Sequence, residues 1–204
     1  MRVLSFLGFI IMLVINLEIN MRKKDLTLRS DHGWESEEGS KIFVADRGAV
    51  RFDFPKDWIV KFKEKSVSFH DLEPTDDTGA LEMSFNRLPP HDWETFPLKK
   101  ALQQILDDDD REILAKGKIT SANRDGMKLV WTDLRYIDAT EKREATSRIL
   151  IGIGGNVQVL FTFDYWTEGE EQMREVWEVV LRSLRLGLFI PDPTRGHVVN
   201  PSLN

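Results

Sequence analysis

The fold is decided by residues 143–188, which read REATSRILIGIGGNVQVLFTFDYWTEGEEQMREVWEVVLRSLRLGL. Apolar side chains alternate with other residues on both sides of the turn Gly154-Gly155-Asn156, a pattern typical of two half-buried antiparallel strands. The alternating residues are Ile149, Ile151, Ile153, Val157, Val159, Phe161 and Phe163. After the second strand, residues 170–184 change to the helical period. The stretch therefore predicts a helix packed on an antiparallel sheet.

The predicted helix carries apolar residues at i, i+3, i+4, i+7, i+8 and i+11 without a gap. They are Met173, Val176, Trp177, Val180, Leu181 and Leu184. Charged residues occupy the other side, where Glu178 and Arg182 form an i, i+4 pair of the favourable order. Gly187 is the expected end of the helix, because glycine readily adopts the left-handed backbone of helix caps.

The composition is that of a folded domain without covalent cross-links. A chain of 204 residues suits one domain of about 150 residues plus tails. The absence of cysteine excludes disulfides, thiolate catalysis and cysteine-bound metal clusters. With 28 basic and 34 acidic residues the net charge is −6, which argues against a nucleic-acid partner because such proteins usually carry a basic surface. No cofactor is expected.

The first residues form an apolar segment with two open interpretations. Residues 3–17 are almost wholly apolar, although a membrane-spanning helix needs about 20 residues. Arg2 suits a signal peptide, but no small-residue cleavage site follows. The segment is therefore either a signal or anchor, or an over-extended gene start with Met21 as the true beginning. Membrane contact is expected only through residues 3–17, if they are retained.

The chain is predicted to divide into four parts. They are the apolar segment 1–20, a polar linker 21–40, the folded domain 41–189 and a flexible tail 190–204. The basic run 22–24 would keep its side of an inserted segment in the cytoplasm. The predicted location is therefore the cytoplasm or the cytoplasmic face of a membrane, with secretion or the periplasm as the alternative.

The rest of the domain is predicted from the same periodicities. Alternation predicts strands over residues 50–54, 58–62, 67–69, 81–85 and 119–123. A helix is predicted around Leu98 to Leu106, with Thr95 as N-cap and Pro97 in the first turn. A short helical turn is predicted over residues 111–115, with an aspartate as its N-cap. Asp125-Gly126 is a strong hairpin signal.

The order of these elements resembles a known superfamily. VRFDFPKDW at residues 50–58 is similar to the strand-Pro-x-Gly-Trp opening of the PsbP-like superfamily, which includes a Ran-binding nuclear import factor and DcrB-type bacterial lipoproteins. The segments 67–69, 81–84 and 157–163, and a helix ending in Ser-Leu-Arg, resemble its later elements.

The resemblance covers residues 48–188 and implies an α+β fold, in which an antiparallel sheet is flanked by helices as an α/β/α sandwich. It implies no enzymatic activity. Two features depart from the pattern: Asp57 stands where glycine is usual, and the lipobox cysteine of many bacterial members is missing.

Several residues suggest chemistry without completing a motif. Residues 152–156 are rich in glycine, but a strand follows them, which favours a hairpin over a dinucleotide site. His70-Asp71 and His91-Asp92 are acid–base fragments that lack a Gly-x-Ser-x-Gly nucleophile motif. One alternative function is therefore a small-ligand or hydrolytic pocket on the sheet face. It would be built from Trp58, His70, His91 and Tyr136.

Two acidic runs offer another alternative. Asp76-Asp77 and the run 107–110 supply oxygen ligands that calcium prefers, but neither shows the spaced pattern of a calcium loop. A solvated helix end is the plainer interpretation, and calcium-dependent binding stays open as a further alternative function.

Three aromatic residues are candidates for contact with a protein partner. Tyr165 and Trp166 end a strand just before the helix, and Trp93 lies in the first half of the chain. Such residues usually cap a core, but exposed Tyr and Trp are also common anchors of partner surfaces. The first hypothesis is therefore a non-enzymatic binding or accessory domain with an unidentified protein partner.

Overall fold

A computed structural model describes residues 26–89 and 93–198. In chain order these residues form β1 (Ser40–Ala45), β2 (Val50–Pro55), β3 (Ile59–Phe62), β4 (Val67–His70), β5 (Gly79–Arg87), α1 (Leu98–Asp107), β6 (Glu112–Lys116), β7 (Thr120–Arg124), β8 (Met127–Ile137), β9 (Glu144–Gly154), β10 (Val157–Trp166), α2 (Glu170–Ser183) and β11 (Arg185–Leu186). Short 3-10 turns lie at Asp46–Gly48, Trp93–Thr95 and Thr167–Gly169.

The larger sheet has eight strands. Seven of them follow the order β3-β4-β5-β10-β9-β8-β6, and the eighth, β7, pairs with β8 next to β6. All its pairings are antiparallel. The hairpin between β9 and β10 closes over Gly155 and Asn156, as predicted, and Gly155 has a φ of +55°. Asp125 and Gly126 close the hairpin between β7 and β8 with φ of +49° and +72°. Positive φ at both positions gives the twist that tight hairpins need.

A smaller sheet of three strands, β1-β2-β11, was not predicted. β1 and β2 form a hairpin, and β11 returns from the far end of the domain to pair with β2 through Arg185 and Leu186. Gly187 follows at a φ of +69°. It was predicted to end the helix, but α2 ends at Ser183. Gly187 instead ends β11, where its N–H donates to the Ala49 carbonyl at 2.9 Å.

Each helix packs against a different set of alternating strand residues. Met173, Trp177 and Val180 of α2 lie in one core cluster with the small sheet and with strand residues such as Phe161 and Phe163. The buried residues of α1 lie in a second cluster, with Ile149, Ile151, Ile153 and Leu160 among others. The predicted α+β class is confirmed.

Two local predictions around α1 were wrong. Residues 111–115 form no helical turn, because β6 pairs with the second half of β8, where Ile113 lies opposite Tyr136. The N-cap position of α1 is Pro97, and Thr95 belongs to the preceding 3-10 turn. Pairing between distant segments overrides a weak local preference in such short runs.

The segments before β1 and after β11 contact each other. The Trp34 Nε1 donates to the Pro193 carbonyl at 2.7 Å, and the Gly33 N–H donates to the Arg195 carbonyl at 2.8 Å. The Trp34 ring therefore packs against the segment that follows β11. No helix within residues 26–89 and 93–198 is long and apolar enough to cross a membrane. The apolar run 3–17 lies outside the described residues.

Candidate functional site

The aromatic candidates for partner contact lie mostly inside the molecule. Tyr165 is fully buried, with its ring 5.1 Å from that of Phe163. Trp166 is 8% exposed, and the Arg143 guanidinium lies 4.6 Å above its ring. Trp93 is half-buried and its Nε1 donates to the Pro89 carbonyl at 3.0 Å. In this structure Tyr165 and Trp166 cap the core and present no aromatic face to a partner.

The residues of the predicted pocket do not converge. The Trp58 ring packs 5.9 Å from Phe163, on the α2 side of the sheet. His70 follows buried Phe69 of the same cluster, so its side chain points to the opposite face. Tyr136 shares a small separate cluster with Trp166. His91 lies outside the described residues. Trp58 and His70 are therefore separated by the sheet.

His70 instead joins Ser68, which the sequence did not single out, and Asp77, which it offered only as a calcium ligand. Its Nδ1 lies 2.8 Å from Asp77 Oδ2, and its Nε2 lies 2.9 Å from Ser68 Oγ. With the carboxylate accepting from Nδ1–H, Nε2 accepts from the Ser68 hydroxyl. This order of acid, imidazole and hydroxyl is the one that serine hydrolases use to activate a nucleophile. We call these three residues the serine relay.

The local chain explains how the serine relay forms. Ser68 and His70 are two residues apart on β4, so their side chains share one face of the strand. Asp77 comes from the loop between β4 and β5. The Asp71 carboxylate orders that loop by accepting from the N–H groups of Thr78 at 2.9 Å and Gly79 at 3.1 Å. The Ser-x-His spacing was visible in the sequence, but the loop conformation that brings Asp77 to it was not.

Burial limits what the serine relay can do. Ser68 is 1% exposed, Asp77 3% and His70 9%. Burial by itself would raise the pKa of Asp77, but hydrogen bonding, including that from His70, holds this pKa below its ordinary value. Asp77 is therefore a stable anionic acceptor for His70. Ser68 would need an approach path for a substrate before it could act as a nucleophile.

A second polar cluster surrounds Asp164 of β10. The Arg111 Nη1 and the Tyr136 hydroxyl each lie 3.4 Å from Asp164 Oδ1. Arg111 also binds Asp109, with 2.5 Å between Nη2 and Oδ2, and its guanidinium lies 4.1 Å above the Tyr136 ring. Burial raises the pKa of Asp164, although the Arg111 charge opposes the shift. Burial likewise raises the pKa of Tyr136. We call this the Asp164 cluster.

The two polar clusters share one face of the sheet. Strand register places Ala80 directly between His70 and Asp164, and side chains at paired positions point to the same face. Within residues 26–89 and 93–198, no group of three or more histidine, aspartate or glutamate residues could hold a metal ion. Asp77 and Asp109 of the two acidic runs are instead engaged by His70 and Arg111.

An open groove lies on the other side of the sheet, between α2 and the β7–β8 hairpin. Its volume is about 360 Å³, and its lining is mostly apolar. The lining residues are Ala122, Arg124, Leu129, Glu178, Leu181 and Arg182. We call it the β7–α2 groove.

Arg124 connects the two walls of this groove. Its guanidinium donates to the carbonyl oxygens of Leu181, of Arg182 at 3.0 Å and of Leu184 at 3.4 Å. The last carbonyls of a helix have no partner within the helix, so a cation at this position satisfies them. No local pattern links Arg124 with α2, and the sequence therefore gave no sign of the contact.

The comparisons with known proteins agree with one another. The family model described as Alr1449 matches residues 41–190. The chain belongs to the Alr1449 family. A relative in Nostoc sp., named uncharacterized protein alr1449, is 53% identical over 175 residues, which make up 85% of this chain and 91% of the relative. The matched residues 41–190 include nearly all of the folded part of this family member.

Solved structures show a more distant likeness. A crystal structure from Bacteroides thetaiotaomicron has a TM-score of 0.52 and 19% identity, covering 73% of this chain and 49% of that one, so this chain spans about half its length. Cyanobacterial PsbP (CyanoP) from Synechocystis sp. gives 0.49 and 13%, covering 74% and 95%. The Ran-binding protein Mog1p from Saccharomyces cerevisiae gives 0.46 and 10%, covering 72% and 95%. A PsbP protein and a Ran-binding protein, two of the three groups named in the sequence resemblance, are among the structural neighbours of this Alr1449 family member.

Proposed function

We propose that this chain is a non-enzymatic accessory domain that binds another protein. The β7–α2 groove carries the proposal. It is open to solvent, mostly apolar and about 360 Å³ in volume, within the range of roughly 300–1,000 Å³ that ligand sites commonly occupy. Its apolar lining offers a side chain of a partner a place to bury apolar surface.

The placement of the reactive side chains supports the same proposal. The serine relay and the Asp164 cluster lie on the opposite face from the groove, and the residues of each cluster bond mainly to other residues of the same cluster. Catalysis needs its acid, base and nucleophile within reach of a bound substrate. The proposal takes α1 and α2 to lie over opposite faces, as in the α/β/α arrangement expected from the sequence. The open concavity and the titratable groups are then separated by a sheet.

The experiment is affinity capture followed by reconstitution. The purified chain is immobilised, exposed to a lysate of its source organism, and the retained proteins are identified by quantitative mass spectrometry. We expect a retained protein that, once purified, binds the chain saturably in isothermal titration calorimetry. Failure to retain any protein, together with turnover or saturable binding of a small metabolite, would contradict the proposal.

A second candidate function is acyl transfer at Ser68. The specific observation is the serine relay, with distances of 2.8 and 2.9 Å in the order that activates a serine hydroxyl. In such a reaction the Ser68 oxygen would bond to the acyl carbon while its proton passed to His70 Nε2. That proton would then leave with the departing group, and water would release the acyl group.

A fluorophosphonate probe distinguishes these two functions. We expect no labelling of the folded chain, because Ser68 is almost fully buried and the probe cannot reach its oxygen. The readout is intact-mass spectrometry after incubation, with a known serine hydrolase as the positive control. Labelling that is lost in Ser68→Ala and weakened in His70→Ala would establish the second candidate instead.

The calcium alternative has an equally direct test. A ligand that binds only the native state raises the melting temperature. We expect millimolar calcium to leave the melting temperature unchanged, because Asp77 and Asp109 of the acidic runs are held by His70 and Arg111. Differential scanning fluorimetry with and without calcium, using magnesium at equal ionic strength as the control, measures this. A calcium-specific rise would support the calcium alternative.

A further inference from the structure

The β7–α2 groove adjoins a strand that is paired on one side only. Among the described strands β7 pairs with β8, and its other edge meets no strand. The tight turn makes Arg124 and Met127 a hydrogen-bonded pair, and pairing alternates along an antiparallel ladder. The N–H and C=O groups of Ser121 and Asn123 consequently point away from β8. They are available to a further strand.

The two outer edges of the larger sheet differ in their protection. β3 carries Lys61, and Lys63 and Lys65 follow it closely. Lysines on an edge strand discourage pairing with another chain. β7 reads Thr-Ser-Ala-Asn-Arg, with no lysine or proline. Its edge is therefore the less protected of the two.

We propose that an extended segment of a partner protein adds to β7 as a further strand. One apolar side chain of that segment fills the groove opposite Ala122, and a carboxylate two residues away lies opposite Arg124. This inference rests on the proposed function and specifies the chemistry of the partner. It deepens the binding role by giving the bound segment a pattern. Like every pairing in the larger sheet, the added strand is antiparallel, so the residue opposite Arg124 precedes the one opposite Ala122. The pattern is therefore an acidic residue, any residue, then an apolar residue.

The lining of the groove determines the apolar position. Ala122 is small, and beside it Leu129 and Leu181 supply apolar walls. Ala122 and Leu129 are paired across β7 and β8, so both point to the α2 side. Every second residue of an added strand would point to that side as well. A side chain of leucine size placed there would bury apolar surface that is otherwise open to water.

The charge of Arg124 determines the acidic position. No carboxylate lies within ion-pair distance of Arg124 among the described residues, and carbonyl oxygens orient its guanidinium without neutralising it. Its basic neighbours are already paired, Arg182 with Glu37 at 2.6 Å and Arg185 with Asp125 at 3.8 Å. Because Arg124 is two residues from Ala122, the complementary residues in an added strand are also two apart.

Synthetic peptides test this pattern on the full-length chain. The probe is a fluorescein-labelled peptide, Thr-Thr-Glu-Thr-Leu-Thr-Thr, measured by fluorescence anisotropy. One control peptide has leucine and glutamate adjacent, which would place them on opposite faces of a strand, and another has lysine in place of glutamate. We expect the probe to bind at least about tenfold more tightly than either control, since each change removes one favourable side-chain contact.

Variants of both sheet edges locate the binding. Ala122→Trp fills the groove, and Asn123→Pro removes an outward N–H without breaking a bond to β8. Each should weaken probe binding by about tenfold or more, whereas Lys61→Trp on the opposite edge should leave it unchanged. Near-ultraviolet circular dichroism verifies that each variant is folded, and if Asn123→Pro fails to fold, Ala122→Trp alone decides the question.

Three outcomes would overturn the inference. The first is equal binding of all three peptides, and the second is probe binding that Ala122→Trp leaves intact. The third is a dimer in light scattering that Ala122→Trp converts to a monomer, which would make a second copy of the chain the occupant. A captured partner protein that still binds Ala122→Trp would remove this inference while leaving the proposed function in place.

Discussion

Replacing Arg111 with methionine is expected to lower the free energy of unfolding by about 3–5 kcal/mol at neutral pH, the range seen when one partner of a buried ion pair is removed. Arg111 is the cation that Asp109 and Asp164 share, and both carboxylates are largely buried. Methionine fills similar space without the charge, so two buried carboxylates lose their cation. Urea denaturation followed by circular dichroism measures the change.

The loss of stability in Arg111→Met is expected to depend on pH. In the native chain, hydrogen bonds from Arg111 hold the pKa of Asp109 below its ordinary value although burial opposes them. That contribution to stability is present above the ordinary carboxyl pKa and is lost as the pH falls through the lowered pKa. Burial raises the pKa of Asp164, which therefore costs stability when ionised and recovers it as the pH falls. Without Arg111 both carboxyls should protonate more readily, so the deficit should shrink toward pH ~4.

The Arg143→Met variant is the matched control. Arg143 pairs with Glu168 at 2.6 Å in an exposed position, and exposed ion pairs contribute only about 0–1 kcal/mol. Its loss should therefore change the free energy of unfolding much less than the loss of Arg111 does. A deficit for Arg111→Met no larger than this, or one that stays constant between acidic and neutral pH, would contradict the role assigned to the Asp164 cluster.

Gly187→Ala is expected to destabilise the fold by about 2–5 kcal/mol, because about 1–2 kcal/mol for the left-handed backbone coincides with about 1–3 kcal/mol for overpacking. Gly187 has a φ of +69°, and a Cβ at this position would lie 2.6 Å from the Gly154 carbonyl oxygen. That oxygen belongs to the backbone at the end of β9, so it cannot move aside as a flexible side chain would. The small sheet must therefore shift or lose β11.

Gly39→Ala separates the two costs. Gly39 has a φ of +78°, but a Cβ there meets nothing within 4 Å. We expect this variant to lose only about 1–2 kcal/mol, the cost of holding alanine in the left-handed region. Chemical denaturation of the two variants side by side measures the steric part by difference. Equal losses would show that β11 does not approach β9 as closely as the structure indicates.

The sequence predicted the hairpins best because their contacts are local. β9 and β10 are neighbours both in the chain and in the sheet, and the turn at Gly155 and Asn156 joins them directly. Alternation therefore gave the strands, and the glycine-rich turn gave their register. The same holds for β7 and β8, where Asp125-Gly126 marks the turn.

Contacts between distant segments left no comparable signal. Residues 111–115 were predicted as a helical turn because a run of aspartates looked like an N-cap, yet β6 forms a strand by pairing with β8. Arg111 and Asp164 are separated by 53 residues, and nothing in either neighbourhood indicates the other. Arg124 caps α2 across 58 residues. The candidate site therefore had to be read from the three-dimensional arrangement.

The return of β11 to β2 has a consequence for synthesis on the ribosome. Arg51 of β2 donates to the Ser183 carbonyl, 132 residues later in the chain. Chains emerge from the amino end at about 5–20 residues per second, so β1 and β2 are exposed to the cell for several seconds before α2 and β11 follow. During that interval Val50 and Phe52, which are fully buried in the finished domain, lack the cover of α2 and β11. The first hairpin can therefore complete its packing only after the last strand has been synthesised.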